Sequence, residues 1–157
     1  MRVGQGIDVH QLVAGDGFRL AGVWVDAEVA VAGHSDGDVA LHALTDALLG
    51  AVGAGDLGSV FGVDTPAYAK GRSEVFVRQA LAFVRARQFV VAQVDLTVLL
   101  QTPRLSAQRE AMRATVAQIT NVPLVDVSVK FTSTDTVGLI GRGEGLAGFA
   151  TVGLAAR

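Results

Sequence analysis

The sequence predicts an α/β (α+β) fold, a single domain over residues 1–157 with a four-stranded mixed sheet and three helices on one face. Three observations lead to this prediction. Four segments are β-branched or alternate between apolar and polar residues, as strands do. Three other segments repeat apolar residues at helical spacing. The length of 157 residues suits one domain with its own core.

The strand and helix patterns are separated by glycine and proline breakers. Predicted strands of the sheet cover residues 3–10, 94–100, 126–132 and 146–154, with one or two further strand pieces in 18–25. Predicted helices cover residues 38–49, 73–87 and 106–120. Residues 55–58 and 64–66 are predicted as a loop and a turn, and a glycine-rich loop precedes the last strand.

Charge and cysteine content narrow the class of function. The formal net charge is −2 and no basic stripe is present, so we expect no nucleic-acid partner. The chain has no cysteine, which excludes disulfides and thiolate metal sites. An acidic substrate is still compatible with this charge, because a bound metal can supply the positive charge.

Half of the residues are hydrophobic, and the mean hydropathy is +0.44. The most apolar stretch, 89–100, contains Gln93, Asp95 and Thr97 and is shorter than the roughly 18 apolar residues that a spanning helix needs. We therefore expect no membrane segment and, since the first residues form no apolar signal region, a cytoplasmic location. Burial in an oligomer interface explains the apolar excess most simply.

Imidazoles and carboxylates are concentrated in two short segments. Asp8 and His10 are two residues apart on a predicted strand, so their side chains leave the same face. Asp38, His42 and Asp46 share one stripe of the next helix. If the strand packs beside this helix, Asp8, His10 and His42 converge as three ligands of a zinc ion with an open fourth position. For each residue alone, the alternative is a solvated carboxylate or a hydrogen-bonded histidine.

Three further segments are candidates for anion binding. Ser35 or Asp36 is placed to cap the first helix, and the same helix start can attract a phosphate to which His34 donates. Residues 132–135 offer three hydroxyls and a carboxylate, which suits phosphate oxygens with Mg²⁺ or a plain hydroxyl turn. Residues 141–145 alternate glycine with charged residues, which fits an anion-binding nest or a tight turn.

Four motifs follow one another from end to end of the chain. They are Asp8-Val9-His10, the long run from His34 to Gly50, Gly55-Asp56-Leu57-Gly58 and Gly141-Arg142-Gly143-Glu144-Gly145. In order and spacing, they resemble the 2-C-methyl-D-erythritol 2,4-cyclodiphosphate synthase family. The run from 34 to 50 is the most specific of the four.

The resemblance implies a homotrimeric enzyme of the non-mevalonate (MEP) isoprenoid pathway with three active sites at subunit interfaces. It implies conversion of 4-diphosphocytidyl-2-C-methyl-D-erythritol 2-phosphate into the 2,4-cyclodiphosphate and CMP, by attack of the 2-phosphate on the β-phosphorus. Asp8, His10 and His42 would hold Zn²⁺, and Asp135 would hold Mg²⁺ or Mn²⁺. Such a reaction needs aligned oxygens and neutralised charge rather than a side-chain nucleophile.

The resemblance also implies residue roles. His34 and Ser133 match positions that stabilise the transition state, Asp46 and Asp56 would meet the erythritol hydroxyls, and Arg142 would face an axial cavity for an isoprenoid diphosphate. A neighbouring subunit would contribute the cytidine pocket. The substrate-binding residues that it implies are Asp8, Val9, His10, His34, Ser35, Asp46, Asp56, Leu57, Gly58, Phe61, Asp64, Thr65, Leu100, Gln101, Thr102, Pro103, Arg104, Leu105, Thr132, Ser133, Thr134, Asp135, Leu139 and Arg142.

The chain departs from the family pattern at a few positions. Asp135 stands where glutamate is common and is one methylene shorter, whereas Arg104 for lysine and Ser133 for threonine keep the needed donor. Residues 61–65 read Phe-Gly-Val-Asp-Thr instead of Phe-Pro-Asp-Thr-Asp. Asp64 is therefore the candidate for the missing acidic contact.

Two other functions stay open at this point. One is a non-catalytic trimeric protein that binds isoprenoid diphosphates in the axial cavity, and the other is a structural metal site in an unrelated domain. Asp46, Asp56 and Asp135 favour catalysis, because a structural metal site would not need them.

Overall fold

The computed structural model describes residues 1–33, 36–62 and 72–157. Five strands form its main sheet: β1 (Arg2–Ala14), β4 (Val29–Val31), β5 (Phe89–Leu99), β6 (Val127–Thr132) and β7 (Gly145–Ala156). Their order is β4-β1-β7-β5-β6. Because β5 and β6 run parallel and the other neighbours antiparallel, the sheet is mixed, as predicted. A separate hairpin pairs β2 (Phe18–Leu20) with β3 (Val23–Val25).

Three long helices cover one face of the sheet. They are α1 (Val39–Ala51), α3 (Glu74–Ala86) and α4 (Arg109–Thr120). Helix α1 packs on β1 and β7, α3 packs on α1, and α4 packs on β6 and α3. The short helices are α2 (Leu57–Phe61) and α5 (Gly138–Gly141), with 3-10 turns at Ser106–Gln108 and Leu124–Asp126. In the described ranges, no helix combines the length and apolar character required to cross a membrane.

The two faces of the sheet differ in burial. Strand β5 turns Val94, Leu96 and Val98 into the helix-covered core, and each is at most 1% exposed. On β1, the helix side carries Gly4 and Gly6, and the opposite side carries apolar residues open to solvent. The exposed fractions there are 63% for Val3, 51% for Ile7 and 52% for Val9. The sheet therefore has one apolar face that is open to solvent among the residues described here.

Helix α1 lies against the sheet at backbone contact. A Cβ added to Gly4 would stand 1.9 Å from the carbonyl oxygen of Ala47, and one added to Gly6 would stand 2.0 Å from that of Ala43. Carbon cannot approach oxygen so closely, so only glycine fits at these strand positions. The helix presents alanine at the seam, and the two backbones come together there.

Asp38 fixes the start of α1. Its carboxylate caps the helix by accepting from the Leu41 amide at 3.1 Å, and it also accepts from the amides of Ala21 and Gly22 at 2.8 and 2.6 Å. Burial raises the pKa of the Asp38 carboxyl, although these amides oppose the shift. The prediction that Ser35 or Asp36 caps the helix is wrong, because the cap is Asp38. The Asp36 carboxylate accepts from the Ser73 amide at the start of α3.

The structure corrects the prediction of a four-stranded sheet to five strands. Strand β4 has three residues, too few for an alternating pattern to be recognised, and it extends the sheet through β1. The loop predicted at 55–58 runs into α2, which Asp56 caps. The glycine-rich loop contains α5, which is not predicted because the helix begins and ends with glycine, a residue of low helix propensity. The turn predicted at 64–66 lies outside the described residues.

Gly6→Ala tests the contact between α1 and the sheet. Because its Cβ would overlap the Ala43 carbonyl, we expect a loss of about 3 kcal/mol or more in the free energy of unfolding. The matched control is Gly50→Ala within α1, whose Cβ would stand 4.0 Å from the nearest atom. That variant should be stabilised by about 0.5–1 kcal/mol through helix propensity. Urea titration measures both, and equal stabilities would contradict the contact.

Candidate functional site

Three side chains converge between β1 and α1. The Asp8 carboxylate oxygen Oδ2 lies 2.8 Å from His10 Nε2 and 3.0 Å from His42 Nδ1. One ligand atom from each of the three residues lies within 4.8 Å of the others. The structure thus brings together Asp8 and His10 from one face of a strand and His42 from the facing helix, which is the convergence that the spacing predicts.

Each histidine ring is held at its second nitrogen. His10 Nδ1 lies 3.0 Å from the Gly37 carbonyl oxygen, to which it can only donate. His42 Nε2 lies 2.8 Å from Ser73 Oγ. The rings meet edge to face with centroids 5.1 Å apart. The two histidines therefore turn different nitrogens, Nε2 and Nδ1, to the same carboxylate.

The protonation equilibria of the cluster are coupled to its geometry. Burial by itself raises the pKa of the Asp8 carboxyl, but the hydrogen bonds and charges of His10 and His42 outweigh it and hold this pKa well below its usual range. Burial lowers the pKa of His10, and the hydrogen bond and charge of Asp8 reverse the effect, so that the His10 pKa is raised. Asp8 is thus an anion at neutral pH.

The donor set fits a divalent metal. A carboxylate with two imidazoles is a ligand set that catalytic zinc uses, with the fourth position left for water or substrate. Outer hydrogen bonds that hold the imidazoles, such as the one from His10 to Gly37, are typical of metal-binding histidines. The side chains are partly exposed, with 19% for His10 and 27% for Asp8, so a ligand can reach them.

Two further predicted residues lie on the elements next to this cluster. The Asp46 carboxylate accepts from the Leu57 amide at 2.7 Å and so fixes the start of α2 to α1. Burial raises the pKa of Asp46, and the charges of Asp56 and Asp8 add to the effect. Asp56 caps α2 by accepting from the Ser59 amide at 2.7 Å, which lowers the pKa of its carboxyl.

A polar pocket of about 430 Å³ lies at the ends of β5 and β6. The predicted substrate-binding residues that line it are Leu100, Gln101, Pro103, Arg104, Leu105, Thr132, Ser133 and Asp135. Ser106, Arg109 and Phe131 also line it, and sequence reasoning missed them. The Arg109 guanidinium lies 5.5 Å from the centre of the Phe131 ring. Two arginines give the pocket a positive side, suited to an anionic ligand.

Asp135 sits in a turn at the rim of this pocket. Its φ of 50° is in the left-handed region, which aspartate tolerates better than most residues. Ser133 Oγ donates to Asp135 Oδ1 at 3.2 Å, and the Thr136 amide donates to Gln101 Oε1 at 3.4 Å. These bonds connect the turn that follows β6 with the segment that follows β5.

The side chains of some other predicted residues form no part of either feature. Arg142 follows α5 and forms a two-point ion pair with Glu144, with distances of 2.7 and 3.0 Å. Leu139, in α5, is 45% exposed. The Val9 side chain is 52% exposed on the open face of β1, while its amide donates to Asp8 Oδ1 at 3.0 Å. The predicted contacts at His34, Ser35, Asp64 and Thr65 lie outside the described residues. Ser73 gave no signal in the sequence, because 31 residues separate it from His42.

The fold and site define a class: a mixed α/β protein with a candidate divalent-metal centre between β1 and α1 and a polar pocket at the ends of β5 and β6. The comparisons with known proteins agree. A sequence model of the YgbB family matches residues 1–155, and the chain belongs to that family.

Relatives and solved structures agree with this assignment. The bifunctional enzyme IspD/IspF of Rhizobium etli is 44% identical over 151 residues, covering 96% of this chain and 37% of the relative. The bifunctional IspDF of Campylobacter jejuni superposes with a TM-score of 0.93 at 36% identity, over 99% of this chain and 42% of that one. A 2C-methyl-D-erythritol-2,4-cyclodiphosphate synthase with bound CDP superposes with a TM-score of 0.90 at 36% identity, over 98% of this chain and 100% of that one. The chain spans about two fifths of the bifunctional relatives.

The cluster predicts a pH-dependent metal affinity. Ligation requires a neutral imidazole and an ionised carboxylate. The raised pKa of His10 lets a proton compete with the metal, whereas Asp8 stays ionised. We expect zinc affinity to weaken on acidification below the His10 pKa, by about tenfold per pH unit for one competing proton. Competition with a chromophoric chelator, corrected for the chelator's own protonation, measures it. A flat profile from neutral pH to about pH 5 would contradict this assignment.

Proposed function

We propose that this chain catalyses formation of 2-C-methyl-D-erythritol 2,4-cyclodiphosphate, with release of CMP, in the MEP route to isoprenoid precursors. One observation carries the proposal: Asp8, His10 and His42 converge in a chain that matches the YgbB family over residues 1–155. The CDP bound in a synthase of the same fold and 36% identity supports a cytidine nucleotide as the substrate class.

The reaction is a phosphoryl transfer within one molecule. An oxygen of the 2-phosphate forms a bond to the β-phosphorus, the bond from that phosphorus to the bridging oxygen breaks, and CMP leaves with the bridging oxygen. Asp8, His10 and His42 would hold Zn²⁺ and Asp135 would hold Mg²⁺ or Mn²⁺, and these ions would supply positive charge to phosphate oxygens. The chain's own task is to hold both ends of the substrate in line.

The pocket residues serve the nucleotide end in this proposal. Arg104 and the hydroxyl of Ser133 are donors to phosphate oxygens at the pocket that they line. Asp46 and Asp56, on α1 and at the start of α2, face the erythritol hydroxyls as acceptors. His34 donates to a phosphoryl oxygen near the start of α1. The role of Asp135 as a metal ligand is the least typical, because aspartate reaches one methylene less far than glutamate.

We further propose a homotrimer with active sites between subunits, and two features support it. Within one chain, β5 lies two and β6 lies three strand spacings from β1, about 10 and 14 Å at roughly 4.8 Å each. One chain therefore holds its metal cluster and its nucleotide pocket at separate positions across the sheet. The open sheet face carries Val3, Ile7 and Val9, and Phe149 lies in register with Ile7. Packing of this face on neighbouring copies removes apolar area from water and sets one chain's cluster beside another's pocket.

We also propose a domain organisation, a cellular location and a second ligand site for this chain. Residues 1–157 act as one cyclodiphosphate synthase domain. The protein functions in the cytoplasm, a reducing compartment that suits a chain with no cysteine and therefore no disulfide bonds. The trimer axis holds a cavity in which Arg142, paired with Glu144, can meet an isoprenoid diphosphate. A purely non-catalytic role in binding such diphosphates is the second candidate, favoured by the same exposed Arg142.

His42→Ala tests the reaction. Phosphorus NMR of the wild-type protein with the diphosphocytidyl substrate should show the cyclic diphosphate and CMP, and His42→Ala should lose at least about 100-fold in rate, since one of three metal ligands is gone. Sedimentation should give about three times 16.2 kDa for both proteins. A fully active variant would rule out the metal mechanism, and a wild-type trimer that binds isoprenoid diphosphate without turnover would favour the second candidate.

Asp135→Ala tests the second ion. The variant should keep the zinc content of the wild type, because Asp135 lies in the pocket rather than in the Asp8 cluster. Its activity should need about tenfold or more additional Mg²⁺ or Mn²⁺, as expected when a carboxylate ligand is lost. Rates across a titration of each ion measure the effect, and Asp126→Ala, a carboxylate outside the pocket lining, is the control. Superimposable titrations for wild type and Asp135→Ala would remove Asp135 from this role.

A further inference from the structure

Ser73 makes contacts that a helix start does not require. It precedes α3, and its side chain makes no capping hydrogen bond to that helix. The residue is fully buried, at 0% exposure. Its hydroxyl lies 2.8 Å from His42 Nε2 and in hydrogen-bond contact with Asp36 Oδ1. The Ser73 amide donates to the other Asp36 oxygen at 2.9 Å.

The directions of these hydrogen bonds follow from counting protons. A carboxylate only accepts, so both contacts with Asp36 are donated by Ser73, one from the amide and one from the hydroxyl. The hydroxyl has a single proton, and that proton is used. Ser73 Oγ therefore accepts from His42, which places the imidazole proton on Nε2. In the neutral imidazole that metal ligation requires, the lone pair of His42 is then on Nδ1, the nitrogen that faces Asp8 at 3.0 Å.

We propose that Asp36 and Ser73 are positioning residues that present His42 to the metal through Nδ1. This inference rests on the metal site of the proposed function. Asp36 fixes the hydroxyl, and the hydroxyl fixes both the protonated nitrogen and the plane of the ring. For His10, the Gly37 carbonyl accepts from Nδ1 and so leaves Nε2 to face the metal site. Neighbouring positions, Asp36 and Gly37, thus orient both histidines.

The alternative is that Ser73 only stabilises the fold. A structural hydroxyl would affect the free energy of unfolding and leave metal affinity unchanged. An orienting hydroxyl affects metal affinity and the electronic spectrum of a bound metal, because the loss of the Nε2 acceptor frees the ring to rotate or to move its proton. Zinc affinity and a cobalt spectrum therefore separate the two roles without reference to turnover.

The experiment compares Ser73→Ala, Asp36→Asn and the double variant with the wild-type protein. We expect each single variant to bind zinc about 10- to 100-fold more weakly, the range for outer hydrogen bonds of metal-binding histidines. In Asp36→Asn, the side-chain amide has only one oxygen to accept from the two donors of Ser73, so the Ser73 hydroxyl is held less firmly. The loss of zinc affinity in the double variant should be much smaller than the product of the losses in the two single variants, because both residues act on His42 through the same hydroxyl. The visible absorption of bound Co²⁺ should shift in all three.

Thr120→Ala is the matched control. Thr120 also has a buried hydroxyl, which donates to the Val116 carbonyl at 2.7 Å within α4 and contacts no member of the metal cluster. We expect wild-type zinc affinity and an unshifted Co²⁺ spectrum from this variant. Wild-type zinc affinity in Ser73→Ala overturns the inference, and so does wild-type affinity in Asp36→Asn if Ser73→Ala does not fold. A wild-type protein that binds no zinc instead refutes the metal site of the proposed function.

Discussion

Contact between the backbone of α1 and the sheet is the constraint on which the site depends. Gly4 and Gly6 leave room for the carbonyls of Ala47 and Ala43, so the helix axis lies closer to β1 than larger side chains would allow. The Asp8 and His10 side chains leave the same face of β1 and reach His42 on that helix directly. With a larger separation the carboxylate could not meet both imidazoles at 2.8 and 3.0 Å.

Close packing brings the ligands together but does not choose which atoms face one another. That choice depends on polar groups outside β1 and α1. The Gly37 carbonyl holds one ring and the Ser73 hydroxyl holds the other. Asp38 anchors this region further, since it caps α1 and binds the turn of the β2–β3 hairpin. The segment from 36 to 38 thus connects the hairpin, α1, α3 and both histidines, and Asp38 is fully buried there with its carboxylate bound by three amides.

Periodicity predicts the parts of this structure that are local. Asp8 and His10 share a strand face, His42 sits on the helix that follows, and the long strands and helices lie where their patterns indicate. The features that could not be predicted are short elements and contacts between residues that are distant in the sequence. Strand β4 and helix α5 have three and four residues, less than one period of a reliable pattern. The contact of Ser73 with His42 joins positions 31 residues apart, and no repeat encodes such a pairing.

Two other features of the chain stand apart from the cluster of Asp8, His10 and His42. The pocket at β5 and β6 and the cluster at β1 lie at different positions across one sheet, two to three strand spacings apart, or about 10 to 14 Å. The sheet face with Val3, Ile7 and Val9 is apolar and uncovered. Association through that face would satisfy both needs at once, because the contact that buries the apolar residues can also bring a neighbour's pocket to each cluster. The apolar excess of the sequence and the division of its chemistry between two sites then have one physical cause.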